Sequence, residues 1–137
     1  MEKNIIYVTA IALVDWEGKV LLSLRSRKKI LANYWEFPGG KIKKNEEPDD
    51  AIIRELYEEL DIIVEKQFLK PFTFTSYDYK DFKVIIFFYL CRLWSGKPRS
   101  KEKQKLLWVK INQINNYKIL PANKTLVSEL LGLNKKK

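Results

Sequence analysis

Apolar positions along the 137 residues follow two rhythms. The run IIYVTAIALV (5–14) is nearly unbroken and rich in β-branched residues, and DWEGK follows it with a turn at Glu17-Gly18. That order predicts a strand entering a hairpin rather than a cleaved targeting segment. Strand-like stretches recur at 19–25, 71–78, 82–93 and 106–111, with a second turn signal at Ser95-Gly96-Lys97-Pro98. Within them VIIFFYLC (84–91) is apolar throughout. It is far short of the roughly 20 residues of a membrane helix and reads as a strand buried on both faces. Helical spacing appears twice. In Pro48–Leu60, Ile52, Leu56 and Leu60 recur every fourth position beside Ile53, proline opens the segment and acids fill its first turn. A second helix is predicted over 122–133, followed by a frayed basic tail, NKKK, at 134–137. Strands on either side of a central helix, with a closing helix, predict one α/β layered domain over 1–133, built on a mixed sheet.

Composition narrows the chemistry. With 26 Lys and Arg against 17 Asp and Glu, the formal charge is +9. That excess suits an anionic partner, nucleotide or nucleic acid, or simply a lysine-rich surface. The single cysteine, Cys91, forms no internal disulfide, so an oxidising compartment is not indicated and a soluble cytoplasmic protein is expected. There is no histidine, which excludes a His-based triad or zinc site. Acid–base or metal chemistry must rest on carboxylates, amines, hydroxyls or the backbone.

The acids are unevenly spread. Segment 46–61 holds eight of the 17 acids and one base, Arg54. Glu55, Glu58 and Glu59 lie three and four apart, on a helix face away from the apolar stripe. Arg54 stands one turn before Glu58 and pairs with it, leaving Glu55 and Glu59 as like charges at a mildly destabilising spacing. A solvated helix face explains three glutamates alone. Just upstream, however, WEFPGGK (35–41) combines a proline and two glycines that expose backbone groups. Oxygen-rich clusters of this kind are what Mg2+ requires, a few carboxylates completed by water and substrate phosphates.

From Gly40 the chain reads GKIKKNEEPDDAIIRELYEELDI, which resembles the Nudix box. Gly40, Glu46, Arg54, Glu55, Leu56, Glu58, Glu59 and Ile62 occupy its fixed positions. Asp61 departs, standing where the family usually has glycine. Aspartate tolerates the left-handed backbone of a helix end better than most residues. ANYWEFPGGKI (32–42), KEKQ (101–104) and LPAN (120–123) extend the likeness to the MutT-like branch, over nearly the whole chain.

The resemblance implies an α/β/α sandwich around a mixed sheet and hydrolysis of a nucleoside triphosphate to monophosphate and pyrophosphate, with 8-oxo-dGTP the leading substrate. Alternatives are CTP or dCTP, dinucleoside polyphosphates, RNA 5′ ends, or a nucleotide sensor without catalysis. It implies Glu55, Glu58 and Glu59 as ligands of Mg2+ or Mn2+, completed by the Gly39 carbonyl, with Glu102 a further ligand or base. Arg54 would orient Glu58. Arg25, Glu36, Phe37, Pro38, Gly39 and Asn123 match positions that hold base and sugar, while Ile30 stands where that branch has a histidine. Trp35, Tyr34 and Trp94 read as packing residues. A monomer or weak dimer, without membrane or nucleic-acid partner, is expected.

Overall fold

A computed structural model describes residues 3–29 and 31–135, and for 134 and 135 only the backbone. Strand β1 (Asn4–Leu13) pairs in parallel with β6 (Phe82–Cys91) along its whole length, from Asn4 opposite Phe82 to Leu13 opposite Cys91. The short β4 (Gly39–Lys41) lies antiparallel on the other edge of β1, and β5 (Lys70–Asp78) antiparallel on β6. The order of this mixed sheet is β4-β1-β6-β5. A second sheet sets β2 (Lys19–Leu24) between β3 (Trp35–Glu36) and β7 (Leu106–Lys110), all antiparallel.

Alternation along β1 explains its unbroken apolar run. Ile11 and Leu13 pack with Tyr89 and Cys91 against Ile52, Leu56 and Leu60 of α1 (Pro48–Leu60). Ala10 and Ala12 face the other way, with Ile86, Phe88 and Leu90, towards Leu126, Val127 and Leu130 of α2 (Lys124–Lys135). From Thr9 onward both faces are covered, so neither needs polar residues there. Each fully buried leucine or isoleucine contributes about 1.5–3 kcal/mol. The result is the α/β/α sandwich.

Three expectations change. The hairpin after β1 is a single bridge, Val14 to Val20, because β6 and β4 already occupy both edges of β1 and β2 joins the other sheet. WEFPGGK, expected only to expose backbone groups, contributes the two short strands β3 and β4 around Phe37-Pro38. α2 begins after a 3-10 turn at Pro121–Asn123 and runs to Lys135, into the expected tail, of which 136 and 137 lie outside the described residues. Ile30 also lies outside them. α1 matches its prediction, and it ends on Asp61 at φ 58°, ψ 36°, the left-handed conformation glycine would favour.

Candidate active site

The β4 strand brings backbone against carboxylate. A Cβ on Gly39 would sit 2.0 Å from the Thr9 carbonyl oxygen, and one on Gly40 2.4 Å from the carboxyl carbon of Glu55. Glycine at both positions lets β4 lie flat on β1 while Glu55 packs on Gly40. Arg54 locks the same corner. Its Nε and Nη2 donate to the two oxygens of Glu46 at 2.8 and 2.9 Å, Nη2 also to the Lys41 carbonyl at 3.0 Å, and Nη1 to Glu55 at 2.8 Å. Glu58 is the weaker partner, 3.3 Å from Nη1 and half exposed. The expected Arg54–Glu58 pairing is present, with Glu46 and Glu55 as the closer partners. Glu46, eight residues back, presents a planar carboxylate that the guanidinium fork grips with two bonds, which an i,i+4 partner does not do here. The Arg54 guanidinium and the Lys43 amide hold the Glu46 carboxyl down at about 2.

Glu59 is under the opposite pressure. Burial, then the neighbouring charge and hydrogen bond of Glu55, then the charge of Glu102, raise it to about 8, against the opposing pull of Lys29. Without a cation, the Glu59 carboxyl therefore stays largely protonated at neutral pH. Glu58 and Glu102 are exposed and do not line the cavity that Glu55 and Glu59 border. Among the described residues no three carboxylates are drawn into a ready-made metal cage. The donor set nevertheless fits a divalent cation. Two crowded carboxylates, a third within electrostatic reach and the exposed backbone at Gly39 are hard oxygen donors whose repulsion a cation relieves.

That cavity measures about 660 Å3. Glu36, Phe37, Pro38 and Gly39 line it from the β3–β4 turn, Arg25 from the end of β2 and Asn123 from the last turn before α2. Arg25 Nη1 holds Glu36 at 3.0 Å. Burial raises the Glu36 carboxyl, with Arg25 and Lys29 opposing. Asn123 is 5% exposed, and its Oδ1 accepts the Phe37 N–H at 3.0 Å. It does not cap α2. The bond spans 86 residues and fixes which way the amide faces, with both Nδ2 protons left over. Phe37 is both a core residue, 4.8 Å from the Phe88 ring, and part of the cavity wall.

Sequence reading missed Lys29, Tyr79 and Gln104, which line the same cavity. Lys29 was one lysine among many. Tyr79 comes from the β5–β6 turn and had no signal. Gln104 is placed by the Ser23 hydroxyl at 3.1 Å, a contact across 81 residues. The expected packing aromatics stay outside the wall. Trp94 stacks on Trp108 at 6.1 Å, Trp35 packs against Tyr117 at 6.2 Å, and Tyr34 lies beneath the Lys118 ammonium.

The three-layer sandwich thus presents a glutamate pair, Glu55 and Glu59, at a cavity beside Gly40. Residues 9–129 match the NUDIX domain model, and the chain belongs to that family. It is 34% identical to an 8-oxo-dGTP diphosphatase of Haemophilus influenzae, over 96% of each chain. It is also 28% identical to a CTP pyrophosphohydrolase of Escherichia coli, over 89% of each. A solved structure from work on MutT of Aliivibrio salmonicida and Vibrio cholerae superposes with a TM-score of 0.80 at 28% identity, covering 95% of this chain and 99% of that one.

Proposed function

We propose that this protein hydrolyses nucleoside triphosphates to monophosphate and pyrophosphate, with 8-oxo-dGTP the preferred substrate, and so clears oxidised nucleotide from the precursor pool. The observation that carries the base assignment is the oriented amide of Asn123 in the cavity that Glu55 and Glu59 also border. Guanine offers acceptors at O6 and N7, whereas 8-oxoguanine carries a proton on N7. The Asn123 Nδ2 donates to O6, and the second lone pair of Oδ1 accepts that N7–H. Ordinary guanine would set its N7 lone pair against Oδ1, and unpaired buried polar groups discriminate strongly. Ile6, Val84 and Phe37 supply apolar surface for the ring, and Arg25, Lys29 and Lys41 supply positive charge for phosphates.

Glu55, Glu58 and Glu59, with the Gly39 carbonyl and Glu102, would hold Mg2+, with Mn2+ an acceptable substitute. The bound cation would neutralise charge developing on the phosphates and lower the pKa of the attacking water. Arg54, gripped by Glu46, keeps Glu55 in place. Phe37 and Asn123 seat the base, Arg25 and Glu36 border the sugar, and the phosphate chain runs past Gly39. Glu55, or Glu102, takes the proton from water. Residues 1–133 would form this one hydrolase domain, a cytoplasmic monomer or weak dimer. No helix among the described residues is long and apolar enough to cross a membrane.

A second reading keeps the chemistry and changes the base. The CTP pyrophosphohydrolase relative favours it, since an asparagine amide also pairs with the cytosine edge. A panel of 8-oxo-dGTP, dGTP, CTP, dCTP, a dinucleoside tetraphosphate and 5′-triphosphate RNA, with and without Mg2+ and with products identified, separates the readings. The expected result is highest kcat/KM on 8-oxo-dGTP, releasing pyrophosphate. Higher kcat/KM on CTP or dCTP would transfer the assignment to the second reading.

A further inference from the structure

Asp61, the one departure from the box, is bound to the loop between β6 and β7. Its Oδ2 accepts from Arg99 Nε at 2.9 Å and lies 2.9 Å from Nη2, and its Oδ1 lies 3.4 Å from the Lys101 ammonium. The backbone repeats the connection. The Arg99 N–H donates to the Leu60 carbonyl at 3.0 Å and the Lys101 N–H to the Glu59 carbonyl at 2.9 Å, so the loop also satisfies carbonyls at the C-terminal end of α1. The Lys101 ammonium lies 4.7 Å over the Tyr57 ring, one turn back on the same helix. Ile63 and Ser95 exchange backbone bonds at 3.0 and 2.9 Å, tying down the loop's start. The next residue after Lys101 is Glu102.

A glycine at position 61 would offer none of the side-chain contacts. Aspartate in the same left-handed conformation keeps the helix end and adds a carboxylate that two cations of the loop share. Beyond the clamp the chain turns within 100–103. The Gln104 N–H donates to Ser100 Oγ at 2.8 Å, Lys103 takes φ 60°, and Gln104 is held by Ser23. Glu102 therefore sits on a short turn anchored on both sides, directly after Lys101, whose N–H is bonded to the Glu59 carbonyl.

We infer that Asp61 is a positioning residue for the active site: by gripping Arg99 and Lys101 against the end of α1, it holds Glu102 beside Glu59. The inference rests on the proposed role of Glu102. In this chain the clamp replaces the box glycine with a second connection between the helix that bears the glutamate pair and the loop that bears the further carboxylate. Asp61, Arg99 and Lys101 do not line the cavity, so their effect is exerted through Glu102 rather than on the nucleotide.

The test combines exchange and kinetics. Asp61→Gly suits the backbone, Asp61→Asn keeps the shape without the charge, and Arg99→Ala removes the partner. In each, amide hydrogen exchange at Arg99 and Lys101 should quicken while α1 and the core stay protected. With 8-oxo-dGTP, kcat should fall about tenfold, at nearly unchanged KM, as for loss of a group that orients a ligand. In a Glu102→Gln background, Asp61→Gly should lower kcat no further. Unchanged exchange at Arg99 and Lys101 would overturn the inference. So would an unchanged kcat in Asp61→Gly, or a loss that persists in full in the Glu102→Gln background. A wild-type protein that cleaves no nucleoside triphosphate would sink the proposed function instead, and exchange alone would then decide whether the clamp holds.

Discussion

Glu59 sits where two demands conflict, because the fold buries it against Glu55 and the proposed metal chemistry needs it ionised. Its folded pKa of about 8 lies above the ordinary 4.5, so the folded, cation-free protein binds a proton that the unfolded chain has released. The associated stability is full below about pH 4.5 and is lost as pH rises through about 8. Thermal melts without divalent cation should therefore show Tm falling across that window, and added Mg2+ should reverse the fall while releasing protons. A Tm independent of pH would remove the premise. Glu59→Gln mimics the protonated form. It should raise the cation-free Tm at pH 8 and lower kcat by at least ~100-fold; near-normal turnover at saturating Mg2+ would place the metal elsewhere. Asn123 calls for a different pair of variants, because its oxygen also satisfies Phe37. Asn123→Ala orphans that buried N–H and should cost about 1–3 kcal/mol of stability besides any kinetic effect. Asn123→Asp keeps an oxygen for Phe37 but loses the donor to O6. On the base-reading account it should lower kcat/KM for 8-oxo-dGTP by about 2–4 kcal/mol equivalents and change dGTP far less. An unchanged ratio between the two substrates would confine Asn123 to its strap between α2 and the β3–β4 turn.

At the scale of elements, β4 is three residues long yet joins β1 to α1. Its two glycines should fail differently. At Gly39 an added Cβ meets the backbone of Thr9 and Ala10, which cannot move without breaking the sheet. Gly39→Ala is expected to destabilise by about 3 kcal/mol, visible in denaturant melts. At Gly40 the added Cβ meets only the carboxylate end of Glu55, a flexible group. Gly40→Ala should melt within about 1 kcal/mol of the parent and yet lose most of its kcat, because Glu55 is pushed from Arg54. Equal melting losses in the two variants would contradict this division. The boundaries of α1 were legible because proline, first-turn acids and a four-residue stripe act locally. β3 and β4 were not, since strands of two and three residues exist only through their partners.

For the whole molecule, the +9 charge and the Arg25, Lys29 and Lys41 side chains at the cavity favour capture of a polyanion. Second-order hydrolysis should therefore weaken with salt. Between about 0.05 and 0.3 M NaCl, kcat/KM is expected to fall severalfold while kcat at saturation holds, because screening acts on encounter. A salt-independent kcat/KM would reduce the charge to a solvated lysine surface.

Spacing along one helix and the glycines before it was enough to identify the box and the family. Those relations are local, and helical geometry converts sequence distance directly into shared faces. The unbroken apolar run at 84–91 likewise told of burial on both sides, because a strand with a solvated face would carry polar residues along it. Partnerships over long separations were decided only by the tertiary structure. Nothing in RELYEEL says that Arg54 would choose Glu46 before Glu58, and nothing in LPAN says that Asn123 would bond Phe37 instead of capping its helix. The glycine lost at position 61 read as a tolerable exception, while the fold set Arg99 and Lys101 against it. Each of these contacts depends on where two distant segments meet. That is set by how the two sheets and two helices pack, not by the residues of either segment alone.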